Sequence, residues 1–350
     1  MDLYAYCPLP PAHSGLVEVS SISFSANGNF IAAAGNNALS IFRIPTSRLA
    51  SISPFPFFSL TLDSPITCMR WVYFKETRSH VLVLGLKDGE IVALGCDKHA
   101  FKIIKRRTIS QQSICSIAAR KIEVKPGLLA EMAITLDDGS ITTLTISYAG
   151  LIAVGFSSPF GPDVPDMIRY CSNTGDILVF SRSCHKMYRL HSTSGKALCE
   201  YDISSTPLWK SEVYDLESHC THEVSHIRVL DCNVSAAWGP QGAVFGEDET
   251  ILLAGTNFGK AFVFDASSGE MAQVLDYPQG GEVHALATST SSGFCLIAIS
   301  RSSPGCPAEI VIFQKTKSTK PKRRQDSNAD LPLPTEAQHD SWTKVVAGVF

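Results

Sequence analysis

The sequence predicts an all-β chain in which one strand unit is repeated around a closed ring. Three observations predict it. Short runs rich in Val, Ile, Phe and Thr recur along the whole length, each broken by Gly, Asn, Asp or Ser. Six copies of one pattern fall in phase: strand, polar turn, apolar strand, turn, alternating strand. No helical apolar period persists beyond about two turns, which removes helices as the organising element.

The unit is clearest at Met167 to Gly195, where MIRYCSNTG, DILVFSRSCH and KMYRLHSTSGK read as three strands and their turns, and ALCEYDI then follows as the fourth strand. A second copy runs from Val234 to Tyr277 as VSAAWGPQG, ETILLAGTNFG, KAFVFDASSGE and MAQVLDY. A third opens the chain with VSSISFSANGN, FIAAAGNN, ALSIFRIPTSR and LASIS. Three weaker copies begin at ITCMRWV, SICSIAAR and VHALATST. Their third strands centre near Phe42, Leu94, Leu144, Tyr188, Phe264 and Phe313. Four of the five steps lie close to the roughly 40–50 residues of a four-stranded propeller blade, and the fifth is longer by about 30. The excess is read as an insertion at about 206–233. The fold class is therefore a β-propeller over residues 1–315, with six blades counted. A β-sandwich, or two smaller β domains, is the alternative, and six phased copies argue against it.

The remaining segments read differently. Residues 316–340 are Lys, Pro, Asp, Gln and Ser with almost nothing to bury, a polar, basic and disordered linker. Residues 341–350, SWTKVVAGVF, return to strand letters as an isolated terminal strand. A ring needs closure, and Leu3 to Tyr6 is a candidate to pair beside AEIVIFQK of the sixth unit, with the terminal strand competing for that edge.

Composition limits the function classes. A hydrophobic content of 45% and a charged content of 18% are ordinary for a globular chain, and the net charge of -3 disfavours nucleic acid or an anionic membrane as partner. The 11 cysteines are odd in number, scattered and never spaced C-x-x-C, as expected in a reducing compartment. No signal peptide and no apolar run of membrane-spanning length are recognised, so the expected location is the cytoplasm. KPKRR at Lys320 to Arg324 offers nuclear import as an alternative.

Chemistry-bearing motifs are sparse. Gly195-Lys196 and Gly259-Lys260 lack the first glycine and the hydroxyl of a phosphate-binding loop, and read as hairpin turns. No G-x-S-x-G nucleophile elbow occurs. His219, Cys220, His222 and His226 are the densest candidate metal ligands, but the alternation from Glu223 onwards reads as a strand or a solvated loop. No cofactor, metal site or catalytic residue is expected.

The cadence resembles the WD40 repeat, from about Val17 to Lys315. Gly259-Lys-Ala-Phe-Val-Phe-Asp265-Ala-Ser-Ser-Gly269 matches it best, with Phe264-Asp265 where that family carries Trp-Asp; Tyr188-Arg189 before Ser194-Gly195-Lys196 comes second. No unit carries a true Trp-Asp pair. The resemblance implies seven blades and a non-catalytic scaffold that binds proteins or peptides on its top face. It places Asn37, Asp88, Asp138, His185, Asn257 and Phe258 in the partner-facing turns between second and third strands. An enzyme working in the central channel and a structural subunit of a larger assembly are the alternative functions.

Overall fold

The computed structural model describes residues 12–13, 16, 18–44, 56–96, 100–159, 165, 167–171, 174–181, 186–202, 211–215, 225–230, 242–247, 250–256, 259–266, 268–276, 282–290, 294–303, 306–316 and 344–347. The described secondary structure is all β. Strand β1 (Ala12–His13) precedes the first sheet. Sheet I is β2 (Ser21–Phe24), β3 (Phe30–Gly35), β4 (Ala38–Arg43) and β5 (Phe58–Thr61). Sheet II is β6 (Ile66–Phe74), β7 (Ser79–Leu86), β8 (Glu90–Cys96) and β9 (Phe101–Thr108). Sheet III holds β10 (Ile114–Ala119). The chain then crosses to sheet II as β11 (Glu123–Val124), which pairs parallel to β6, before β12 (Ala130–Leu136), β13 (Ser140–Ile146) and β14 (Ile152–Pro159) complete sheet III. Sheet IV is β15 (Met167–Tyr170), β16 (Ile177–Ser181), β17 (Lys186–Leu190) and β18 (Ala197–Asp202).

Sheet V contains β19 (Ser211–Asp215) and β20 (Ser225–Leu230). Sheet VI is β21 (Gly242–Gly246), β22 (Ile251–Gly255), β23 (Lys260–Asp265) and β24 (Met271–Asp276), and sheet VII contains β25 (Glu282–Thr290), β26 (Phe294–Ser303) and β27 (Cys306–Thr316). The last strand, β28 (Lys344–Ala347), returns to sheet V and pairs antiparallel with β19, Val213 opposite Val346.

Each expected third-strand centre falls in the third strand of a described sheet: Phe42 in β4, Leu94 in β8, Leu144 in β13, Tyr188 in β17, Phe264 in β23 and Phe313 in β27. Seven sheets form among the described residues, one more than the six units counted. The extra one arises in the long step, where 206–233 carries two strands and the terminal segment supplies a third. Closure also differs in detail. The strand beside β27 is Ala12–His13, with Ala12 opposite Ile310 and His13 opposite Glu309. Leu3 to Tyr6 lies outside the described residues, and β28 pairs elsewhere, so there is no competition for that edge among the described strands. The first sheet ends on Phe58–Thr61 rather than LASIS, because Phe58 and Leu60 pack on the core shared with sheet II. Sheet VI opens on Gly242–Gly246, downstream of most of VSAAWGPQG.

The core lies between sheets rather than within one. Leu39 and Ile41 of sheet I pack on Trp71, Leu82, Leu84 and Leu94 of sheet II. Similar apolar layers join II to III, III to IV, VI to VII and VII to I. Both faces of a middle strand are covered, so β7 and β16 read as continuous apolar runs instead of alternating ones. Burial of each large side chain here contributes about 1.5–3 kcal/mol. Trp71 adds direction, since its indole Nε1 donates to the Ser23 carbonyl of sheet I at 3.0 Å. Gly35 ends β3 where the incoming chain crosses so closely that a Cβ would lie 1.6 Å from the Glu18 carbonyl oxygen. First strands touch in succession: β25 meets β2, β2 meets β6, β6 meets β10 and β10 meets β15, while β21 touches β25 on one side and β28 on the other. That succession bends the row of sheets into a ring.

Candidate functional site

One face of the ring is built by two kinds of segment: the turns joining second to third strands, and the connections carrying the chain from each sheet to the next. Their geometry follows from short-range chemistry. Asn36 adopts φ 50°, a left-handed conformation that Asn tolerates better than most residues. Gly89 and Gly139, at φ 78° and 80°, end the Lys87-Asp88 and Asp137-Asp138 turns. In each of these two turns the aspartate folds back on its own backbone. Glu90 N donates to Asp88 Oδ1 at 3.2 Å, and Ser140 N to Asp138 Oδ1 at 2.9 Å.

The turns are also fastened to the connections. Asn37 Nδ2 donates to the Leu62 carbonyl at 3.0 Å, Leu62 N to the Asn37 carbonyl at 2.8 Å, and Ile66 N to the Asn36 carbonyl at 2.6 Å. Lys87 N donates to the Pro65 carbonyl at 2.9 Å, Asp88 N to Ser64 Oγ at 3.2 Å, and Ile109 N to the Gly89 carbonyl at 3.0 Å. Asp137 N donates to the Ser113 carbonyl at 2.9 Å. Across the ring, Val283 N donates to the carbonyl of the buried Thr256 at 2.9 Å. Sheet I is thus bonded directly to II and VI to VII, and the connection 109–113 is held at one end by the turn of sheet II and at the other by that of sheet III.

Of the expected partner-facing residues, Asn37, Asp88 and Asp138 lie on this common face. Asn37 is half-buried, whereas Asp88 and Asp138 are exposed but spend one oxygen each on a backbone amide. His185, Asn257 and Phe258 lie outside the described residues, as do His219, Cys220 and His222 and the side chain of His226. Among the described residues no group of three or more His, Cys, Asp or Glu side chains is placed to hold a metal ion. Sequence reasoning passed over the connection residues Ser64, Pro65 and Ser113, which hold the turns in place. Their signal was weak, because a Ser-Pro pair between strands reads as an ordinary loop.

Electrostatics near this face are modest. Arg106 on β9 lies 3.6 Å from Asp63 and 3.5 Å from Glu90, and the Asp63 carboxylate is almost fully exposed. Such a solvated pair contributes at most about 1 kcal/mol. On the first strands, the described side chains include the arginines Arg70 and Arg169, the cysteines Cys68 and Cys115, and several hydroxyls, with no carboxylate or imidazole among them. Burial pushes the Cys68 thiol up to about 12, so it is no ready nucleophile at neutral pH.

No protein-family model matches the sequence, and no curated protein does. Similarity appears in three dimensions. The β-propeller domain of Cps50 (Swd1) from Myceliophteria thermophila superposes with a TM-score of 0.65. The match spans 87% of this chain and 98% of that one, at 10% sequence identity. The chain is a β-propeller. Its connected turns and sheet-to-sheet connections therefore form one rim of a propeller, and its first strands surround the propeller axis. At this identity the likeness carries the architecture and nothing finer.

Proposed function

We propose that this propeller is a non-catalytic scaffold that binds a protein or peptide on the face formed by its clipped turns. The observation that supports the reading most is the hydrogen-bond network of that face. Loops over a rigid frame are favourable binding elements, and ordering them in advance removes an entropic cost that a partner would otherwise meet. Here the backbone of residues 36–37, 62–66, 87–89, 109–113 and 137–139 is already fixed by mutual bonds.

The expected site residues take two roles in this reading. Asn37, Asp88 and Asp138 shape the turns, because their polar atoms bond backbone groups. Lys87 and Asp137, exposed beside them, present charge outward. The expected partners are therefore polypeptides, and location is expected to be cytoplasmic, with nuclear import through Lys320–Arg324 as the alternative.

The test is capture from cell extract by the full chain, with quantitative mass spectrometry. A double variant, Lys87→Glu with Asp137→Lys, alters the face without touching a turn hydrogen bond. Lys125→Glu, exposed on the connection between β10 and β12 at the opposite rim, serves as control. The reading expects at least one protein held by wild type and by K125E but lost from the double variant. Identical profiles for all three would refute it.

A further inference from the structure

Two arginines stand on first strands at the same depth in the ring. Arg70 lies on β6 and Arg169 on β15, with β10 of sheet III between them. Two lateral hydrogen bonds fix the relative heights. Thr67 Oγ1 donates to the Ile114 carbonyl, and Ile168 N donates to Ser116 Oγ at 3.3 Å. Arg70 is three residues beyond the first bond. Arg169 is reached from the same level by two residues of β10 and one of β15. Both thus sit about 10 Å below the Thr67 level at a strand rise of ~3.3 Å per residue.

The described surroundings of the pair supply no compensating charge. Arg70 Nε is buried without a hydrogen-bond partner. Arg169 donates from Nη1 to the carbonyl of its own neighbour, Ile168, at 3.0 Å. Burial lowers the pKa of both guanidiniums, that of Arg169 to about 10 with a further contribution from the charge of Arg70, so the two cations sense each other. No carboxylate among the described residues acts on either. Arg169 is nevertheless exposed to a water-sized molecule. Both arginines stand on the first strands of their sheets, next to the axis of the ring.

We propose that Arg70 and Arg169 form a binding site for an oxyanion, a carboxylate or phosphate group, in the central channel of the ring. Two neighbouring like charges with no counter-ion among the described residues repel, and an opposite charge that arrives with good hydrogen bonds relieves that repulsion. Guanidinium supplies a planar fork of N–H donors that matches two oxygens of one carboxylate or phosphate. The ligand is a small anion or an acidic group carried on a longer ligand.

Calorimetric unfolding of the full chain tests this. Sodium phosphate and sodium acetate are each titrated against sodium chloride at equal ionic strength. A site of this kind raises Tm saturably by several degrees over the chloride control, in phosphate, acetate or both. A response to one of the two identifies which oxyanion fits. The gain should disappear in Arg169→Gln and in Arg70→Gln, and persist in Lys125→Glu. Since R70Q changes a half-buried residue whose Nε is enclosed, R169Q carries the comparison should R70Q fail to fold. Equal Tm in all three salts for wild type, or a gain in R169Q as large as in wild type, overturns the proposal.

Discussion

His80 shows how a single side chain couples this fold to pH. It sits on β7 at 6% exposure, ringed by Phe30, Trp71 and Tyr73, whose centroids lie 5.6, 6.2 and 4.7 Å away. Its Nδ1 is buried without a partner. Burial therefore holds the imidazole neutral, and its pKa falls from 6.5 to about 4. The unfolded chain takes up the proton first as pH drops. The contribution is intact above pH 6.5 and is lost progressively between there and about 4, to a total on the order of 3 kcal/mol. Chemical denaturation at pH 7 and pH 4.5 checks it. His80→Phe, which keeps the aromatic packing, should shrink the difference in unfolding free energy between the two conditions by roughly 2 kcal/mol. An unchanged difference would show that His80 is not the titrating group. A paired group stands in contrast: the buried Asp176, 7% exposed, accepts from the half-buried Arg189 on Oδ2, Nε at 2.8 Å and Nη2 at 2.7 Å.

At the level of elements, the turns carry the argument, and Gly89 is the most exacting of them. Its φ of 78° disfavours any L side chain, and a Cβ would lie 2.3 Å from the Ser110 carbonyl oxygen and 2.6 Å from that of Gln112. Gly89→Ala should destabilise the protein by about 2 kcal/mol or more, since the turn and the following connection must both shift. Urea unfolding measures that loss, and a loss below about 0.5 kcal/mol would mean that the turn is not held as described. Such turns were legible in advance because Asp-Gly and Asn-Asn between apolar runs have a local cause. Third strands were legible for a similar reason, as the polar turn before and the Gly or Ser after bracket them. Fourth strands were harder. They lie at the outer edges of the sheets, where β9 reads FKIIKRRT with Lys102 and Lys105 exposed, a pattern that guards an open edge rather than advertising a buried strand. The strand β11 is two residues long and pairs with a neighbouring sheet, so no local pattern marks it. Arg70 was invisible among the apolar letters of ITCMRWVYF, because one charge in a strand acquires meaning when the strand is placed at the axis.

For the whole molecule, the ring joins distant parts of the chain at two places. Ala12–His13 completes the sheet of β25 to β27, and Lys344–Ala347 pairs with β19. Sequence periodicity identified the repeat but missed the second junction, since a pairing between residues about 130 apart leaves no trace in local pattern. Ring geometry also explains why the face is rigid. The connections 62–66 and 109–113 are each clipped both by the turn of the sheet they leave and by the turn of the sheet they enter, the first by Asn36-Asn37 and Lys87-Asp88. Binding on this face depends on that rigidity, and amide hydrogen exchange resolved to single residues tests it most directly. The amides of Leu62, Ile66, Lys87, Ile109, Asp137 and Val283 lie in turns or at connection ends, yet each donates to a backbone carbonyl across the face. They should exchange as slowly as the central-strand amides of β7 and β12, opening with the sheets themselves. Exchange as fast as in an unstructured loop would contradict a preorganised binding face.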